Sequence, residues 1–149
     1  MLFEVKKPGN KSEMPTCKDI NSKAFHELIL YYLRERITNK NIEIKYLVIT
    51  NIFEWFIFNA NDFEKLFSSD KNLIKQFQDF EEERLSGKNT DFFYKSIAEP
   101  FCKNLESSIS ITHFDIRDFE SVIKNNNSED DTKLIALFKI FSPEHLLKL

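Results

Sequence analysis

Glycine is nearly absent: the chain of 149 residues holds two. That scarcity argues against a glycine-rich loop cradling phosphate and against a β-sandwich that needs many tight turns. The two cysteines, Cys17 and Cys102, stand alone. With no CxxC pair and no nearby histidine, they fit idle cytosolic thiols better than a metal site or a disulfide framework. No run of about eighteen apolar residues occurs, so nothing in the sequence has the length to span a membrane. The first residues also lack a basic segment followed by an apolar core and a small-residue cleavage site, so a cytoplasmic protein is expected.

What is present is ordinary for a globular chain: 42% hydrophobic and 30% charged residues. The sixteen phenylalanines, alongside abundant Lys, Asn and Ile, resemble a compositional bias more than an aromatic device. The net charge of −3 conceals an asymmetry. Residues 1–50 carry nine Lys or Arg against six Asp or Glu, and the remainder carries twelve against eighteen. A polyanionic partner is therefore expected on the N-terminal part.

Leu2–Lys7 has the pattern of a strand, stopped by Pro8-Gly9 and followed by a loop rich in turn-forming residues. From Ser22 to about Ile37 the apolar spacing is helical, with Phe25, Leu28, Ile29, Tyr32 and Leu33 on one face. Glu43–Thr50 is a β-branched, apolar strand, and Trp55–Phe58 a second, joined through a turn in which Asn51 is expected at positive φ. Asn61-Asp62-Phe63-Glu64 has the form of a capping box.

Beyond it the chain is mainly helical. Asp70 is placed to cap a helix with Leu73, Ile74, Phe77 and Phe80 inward, and Thr90-Asp91 opens another that is kinked or restarted at Pro100. Residues 110–114 suggest a short strand or an extended connection, 118–124 a short helix, 125–131 a polar acidic loop, and 134–149 a last helix ending in apolar residues. That apolar end raises the expectation of a further domain downstream.

The stretch with chemical potential is Phe3-Glu4-Val5-Lys6-Lys7-Pro8. Strand alternation puts Glu4 and Lys6 on one side of the pleat and Phe3 and Val5 on the other. A carboxylate there is a hard-oxygen ligand suited to Mg²⁺, and an ammonium beside it orients water or offsets developing negative charge. One such ExK is expected by chance in a chain this rich in Glu and Lys, and its plain reading is a surface ion pair. Lys6, Lys7 and Lys11, with Lys18, make the best candidate cluster for phosphate contacts. His26 fits a polar boundary residue, and His113 and His145 carry no role.

Context adds to the motif. The ExK strand, the helix Glu27-Leu28-Ile29-Leu30-Tyr31-Tyr32-Leu33-Arg34-Glu35-Arg36, and Leu47-Val48-Ile49-Thr50-Asn51 through Glu54-Trp55-Phe56-Ile57-Phe58 follow one another in order. Together they resemble the second half of a PD-(D/E)xK nuclease core. More narrowly, they resemble the N-terminal region of single-chain type II restriction–modification enzymes that fuse a nuclease to an adenine-N6 DNA methyltransferase. The helical part, including Asp79–Glu82 and Asp91–Pro100, resembles the segment after the nuclease in that group.

The resemblance implies an α/β fold: a partial restriction-endonuclease-like mixed sheet with a crossover helix over residues 1–60, then a helical extension over 61–149. It implies Glu4 and the Val5 carbonyl as metal ligands, Lys6 as the catalytic lysine, and Glu27 and Tyr31 as supports one helical turn apart, with His26 a rival for the Glu27 position. Mg²⁺ and double-stranded DNA are the implied cofactor and substrate.

The sequence departs from that pattern in two ways. No strand carrying the first catalytic Asp precedes Glu4, and Glu13 and Asp19 come after it in a loop. No glycine-rich cofactor loop or Asn-Pro-Pro-Tyr-type tetrapeptide of a methyltransferase occurs either. The expectation is therefore an excised piece, inactive alone, that needs upstream strands and a downstream methyltransferase domain or partner chain. The competing expectation is a non-catalytic structural or DNA-contacting remnant of a restriction–modification system.

Overall fold

The computed structural model describes residues 1–83, 87–105 and 108–120, together with positions 132, 135 and 139. It divides into two compact units, Met1–His113 and Phe114–Leu149.

The first unit is built on a mixed sheet with strand order β1-β2-β3-β4. β1 (Leu2–Val5) runs parallel to β2 (Tyr46–Thr50), and β2 is antiparallel to β3 (Glu54–Asn59). β4 (Ile111–Asp115) brings Ile111–His113 to this unit. A parallel pair cannot be joined by a tight turn, so β1 and β2 require a crossover. Helix α1 (Lys23–Leu33) supplies it, capped by Ser22, whose hydroxyl accepts from the Phe25 N–H at 3.4 Å.

Register decides which face of the sheet is core. Leu2 aligns with Leu47 and through it with Phe58; Glu4 aligns with Ile49 and through it with Phe56. Leu47, Ile49, Phe56 and Phe58 are buried in the main cluster beneath Phe25, Leu28 and Ile29 of α1. Glu4 thus sits on the helix-covered side, 8% exposed, while Phe3 and Val5 face outward at 44% and 60% exposure. The alternation expected of this strand holds, but its charged side is the inner one.

Helices α2 (Ala60–Phe63), α3 (Lys71–Glu83), α4 (Thr90–Phe93) and α5 (Glu99–Lys103) complete the unit. α1, α2 and α4 each run on into a wider π-helical turn: Arg34–Thr38, Glu64–Ser68 and Tyr94–Ala98. The phenylalanines fill the space between helices and sheet. Phe63 meets Phe25 at 5.7 Å and Phe67 at 4.9 Å between ring centroids, and Phe77 and Phe80 reach Phe93. Asp70 caps α3 by accepting from the Leu73 N–H at 2.8 Å.

Two local expectations are revised. Positive φ falls on Ile52 (81°), not Asn51. The Asn51 side chain is used instead as an acceptor for the Phe53 and Glu54 N–H groups, and the Thr50 hydroxyl takes the Ile52 N–H, which together hold a β-branched residue in an unfavourable region. The cap of α2 is Asn59, accepting from Asn61 N–H at 2.8 Å, so the helix begins ahead of the anticipated box. The helical stretch after residue 60 belongs as far as His113 to the same compact unit as the strands.

In the second unit, Asp115 accepts from the Arg117 N–H at the start of a 3₁₀ turn, Ile116–Phe119. The acidic loop at 125–131 and the last helix, including His145, lie outside the described residues, apart from positions 132, 135 and 139.

Candidate functional site: a lysine among three carboxylates

Lys6 follows β1, and its backbone N–H continues the ladder to the Thr50 carbonyl at 2.8 Å. This bond fixes the direction of the side chain, which enters the space between sheet and α1 and is 10% exposed. There its ammonium meets three carboxylates: Glu4 at 3.1 Å, Glu13 at 3.0 Å, and Glu27, to which it donates a short hydrogen bond.

Each carboxylate arrives from a different element. Glu4 comes from the inner face of β1. Glu27 comes from the second turn of α1, and its side chain is 11% exposed. Glu13 comes from the loop between them and is held by local packing: Met14 is buried in the core, Pro15 is buried, and the Glu13 carbonyl accepts from the Ala24 N–H at 3.0 Å. The second Glu13 oxygen lies 3.3 Å from Lys23 Nζ. The cluster therefore opens outward, from Glu4, Lys6 and Glu27 through Glu13 to Lys23, whose side chain is 44% exposed.

One ammonium does not satisfy three carboxylates at low solvent exposure, and the titration behaviour follows. Burial, reinforced by Glu27, pushes the Glu4 carboxyl up to about 7 against the opposing pull of Lys6. Burial opposes charge on Lys6 as well, but hydrogen bonds to Glu27, Glu13 and Glu4 outweigh it and hold its pKa above the ordinary lysine value. Glu13, bonded to Lys6 and Lys23, is lowered. A carboxyl titrating near neutrality beside a permanently charged ammonium is chemically poised for proton transfer.

Tyr31, one turn after Glu27, is half-buried; burial and the neighbouring charges of Glu4, Tyr94 and Glu27 push its phenol up. His26 does not join the cluster. It is 6% exposed, its Nε2 lies 2.6 Å from Asn21 Oδ1, and burial lowers its pKa, so Glu27 is the helix residue facing Lys6. Lys7 and Lys11 are exposed in the turn after β1, away from this ammonium cage. His113 lies elsewhere, its Nε2 3.4 Å from Glu54 Oε1 and its ring 4.3 Å from that of Phe56.

The donor chemistry around Lys6 suits a hard divalent cation in type but not in number or placement. Among the described residues no group of three or more His, Cys, Asp or Glu side chains is disposed to hold a metal ion. The point on which Glu4, Glu13 and Glu27 converge is filled by Lys6 Nζ.

Glu13 is the residue that reasoning from sequence set aside. Its position after the ExK, in a loop, hides the fact that Met14 and Pro15 fold the loop back onto the core. An apolar pair directly after an acidic residue, in a loop otherwise polar, was the available signal. Among the described residues no helix is long and apolar enough to cross a membrane.

No curated protein and no solved structure matches the chain. A family model does match, over residues 1–149, and its description is "Domain of unknown function (DUF7149)". With its full length covered by that model, and with an α/β unit that gathers Glu4, Glu13 and Glu27 around Lys6, the chain belongs to the DUF7149 family.

Proposed function

We propose that the Lys6 cluster is the lysine-bearing part of a phosphodiester-hydrolysing site of the restriction-endonuclease kind, acting on double-stranded DNA. The observation that carries this reading is the convergence of Glu4 and Lys6 from the strand with Glu27 from the crossover helix. The parallel β1–α1–β2 arrangement and the antiparallel β3 support a partial restriction-endonuclease-like sheet.

In this reading Lys6 orients the attacking water and offsets the charge that grows on the phosphoryl oxygens. Glu4, 3.1 Å from the Lys6 ammonium, places its carboxylate beside that water. Glu27 fixes the ammonium, and Tyr31 stands one turn behind it. Lys7 and Lys11, exposed in the turn after β1, contact flanking phosphates. Mg²⁺ is the cofactor of this proposal, with Glu4 and the Val5 carbonyl as the ligands from this chain. Because the ligand number is incomplete among the described residues, activity is assigned to a larger cytoplasmic restriction–modification protein or complex. That assembly supplies a further carboxylate and holds an adenine-specific methyltransferase; the chain alone is inactive.

Cleavage of duplex DNA in Mg²⁺ by that assembly tests this. Lys6→Ala is expected to lower the rate by about 100-fold or more, the usual cost of removing one preorganised charge-stabilising group. Unchanged cleavage would remove Lys6 from the chemistry. Calorimetric titration of the chain with Mg²⁺, set against Glu4→Ala, tests the ligand assignment separately: equal affinities would reject it. DNA binding without cleavage in every assembly would favour a non-catalytic, DNA-contacting role.

A further inference from the structure

Glu13 differs from its two neighbours in ways that suggest a separate task. Glu4 and Glu27 are fixed on a strand and a helix, and their side chains are 10% and 11% exposed. Glu13 is on a loop, and its side chain is 28% exposed. It is also the one that bridges two ammonium groups, one oxygen 3.0 Å from Lys6 Nζ and the other 3.3 Å from Lys23 Nζ.

A carboxylate spread between two lysines has the charge and the paired oxygens of a phosphodiester. Lys6 keeps two other carboxylate partners, whereas Lys23 is paired with Glu13. Lys23 also lines an open cleft of about 490 Å³ with Ser12, Tyr94 and Lys95, a cleft that carries the carboxylates Asp91 and Glu99 as well. A strand bound at the two lysines therefore has room to continue.

We propose that Glu13 is an internal stand-in for a nucleic-acid phosphate: its carboxylate occupies an anion site formed by Lys6 and Lys23, and a DNA phosphate binds by displacing it. Displacement needs only side-chain rotation. The Glu13 backbone stays tied to Ala24, and Met14 stays in the core. Lys23 then becomes a phosphate ligand, and Glu13 an autoinhibitory contact that weakens binding of anions unable to engage both lysines. The inference rests on the DNA reading above for the identity of the anion, and not on hydrolysis.

The test is binding of a short DNA duplex to the full chain, across a salt series, for four variants and the unaltered protein. Glu13→Gln is expected to tighten binding by about 5- to 10-fold and to steepen the salt dependence, because lysines freed from an internal partner add phosphate contacts at a slope of about 0.9 each. Glu43→Gln, an exposed carboxylate outside the cluster, controls for the lost charge and is expected to change binding less than about 2-fold.

Lys23→Ala is expected to weaken binding. In the Glu13→Gln/Lys23→Ala double variant, the gain from Glu13→Gln is expected to shrink to less than about 2-fold, the non-additivity required of groups sharing one site. Equal gains from Glu13→Gln and Glu43→Gln, or a Glu13→Gln gain that survives Lys23→Ala, would overturn the proposal. So would an absence of duplex binding by every variant at low salt.

Lysine side-chain NMR during titration with inorganic phosphate gives a second reading. Lys6 and Lys23 should respond together, and a response confined to one of them counts against the shared site. Coupling between Glu13 and Lys23 without any cleavage would leave this inference standing while ending the nuclease reading. Cleavage dependent on Lys6 without such coupling would do the reverse.

Discussion

Helix α1 carries an ionic cluster near each end, and the two are built on opposite terms. Near its start, one ammonium serves Glu4, Glu13 and Glu27. Beyond its end, Arg36 binds one carboxylate, Glu64, through two hydrogen bonds of 2.8 and 3.0 Å, and the Tyr32 hydroxyl adds a third at 3.0 Å. The second cluster is balanced: a guanidinium fork meets a carboxylate with matching geometry, and Glu64 is lowered chiefly by its bond to Arg36. The first has more acid than base in a less exposed place, and Glu4 is raised. A balanced pair ties the two π-helical turns together, whereas an unbalanced one keeps a proton available near neutral pH. The difference in titration follows from the ratio of charges, which the residue types alone do not reveal.

The largest test of that contrast is Lys6→Ala at pH 8. Removing the central cation leaves three carboxylates facing one another, and the variant is expected to lose about 3 kcal/mol in urea unfolding, the lower end for breaking a buried pair. A loss smaller than that of Arg36→Ala would collapse the distinction between the clusters.

Glu4→Gln sharpens it through pH. A carboxyl raised from 4.5 to about 7 binds more protons folded than unfolded between those values, so the stability of the unaltered protein falls as pH rises through that window. Discounted for solvent screening, the fall is about 1–2 kcal/mol. Denaturation curves from pH 4.5 to 8 should show this slope and its absence in Glu4→Gln; an unchanged slope would place the proton elsewhere.

Arg36→Ala is expected to cost about 1 kcal/mol, since the pair is half-exposed. The sign of its pH dependence is opposite. Glu64 is lowered, so its contribution is present above 4.5 and is lost as pH falls through the folded value; the variant should lack that acid-side loss. Tyr32→Phe is the mildest change, about 0.5–1 kcal/mol for one hydrogen bond, measured by the same unfolding series.

Much of the first cluster was legible beforehand. Alternation placed Glu4 and Lys6 together, and the spacing of four placed Glu27 and Tyr31 on one helix face. Both are local periodicities of the backbone. Glu13 was not legible, because a loop has no period from which to infer direction, and only the burial of Met14 and Pro15 turns it toward Lys6. The choice between His26 and Glu27 was also out of reach. Adjacent helix residues point about a quarter-turn apart, and which one meets β1 depends on how the helix is rotated on the sheet. The Asn51–Ile52 turn was misassigned for a related reason: propensity favours Asn at positive φ, but its side chain was worth more as an acceptor for two N–H groups.

The sequence by itself determined the order β1-α1-β2-β3, the capped helix start at Asp70, and the two faces of the first strand, since these follow from apolar period and from side chains acting on their own neighbours in the chain. Tertiary structure alone decided that the charged face of β1 is the buried one, that a loop carboxylate joins Lys6 and Lys23, and that helices after residue 60 share the core of the strands as far as His113. Those outcomes depend on register and packing between segments distant in sequence, where the energy of a contact is set by what arrives on the other side.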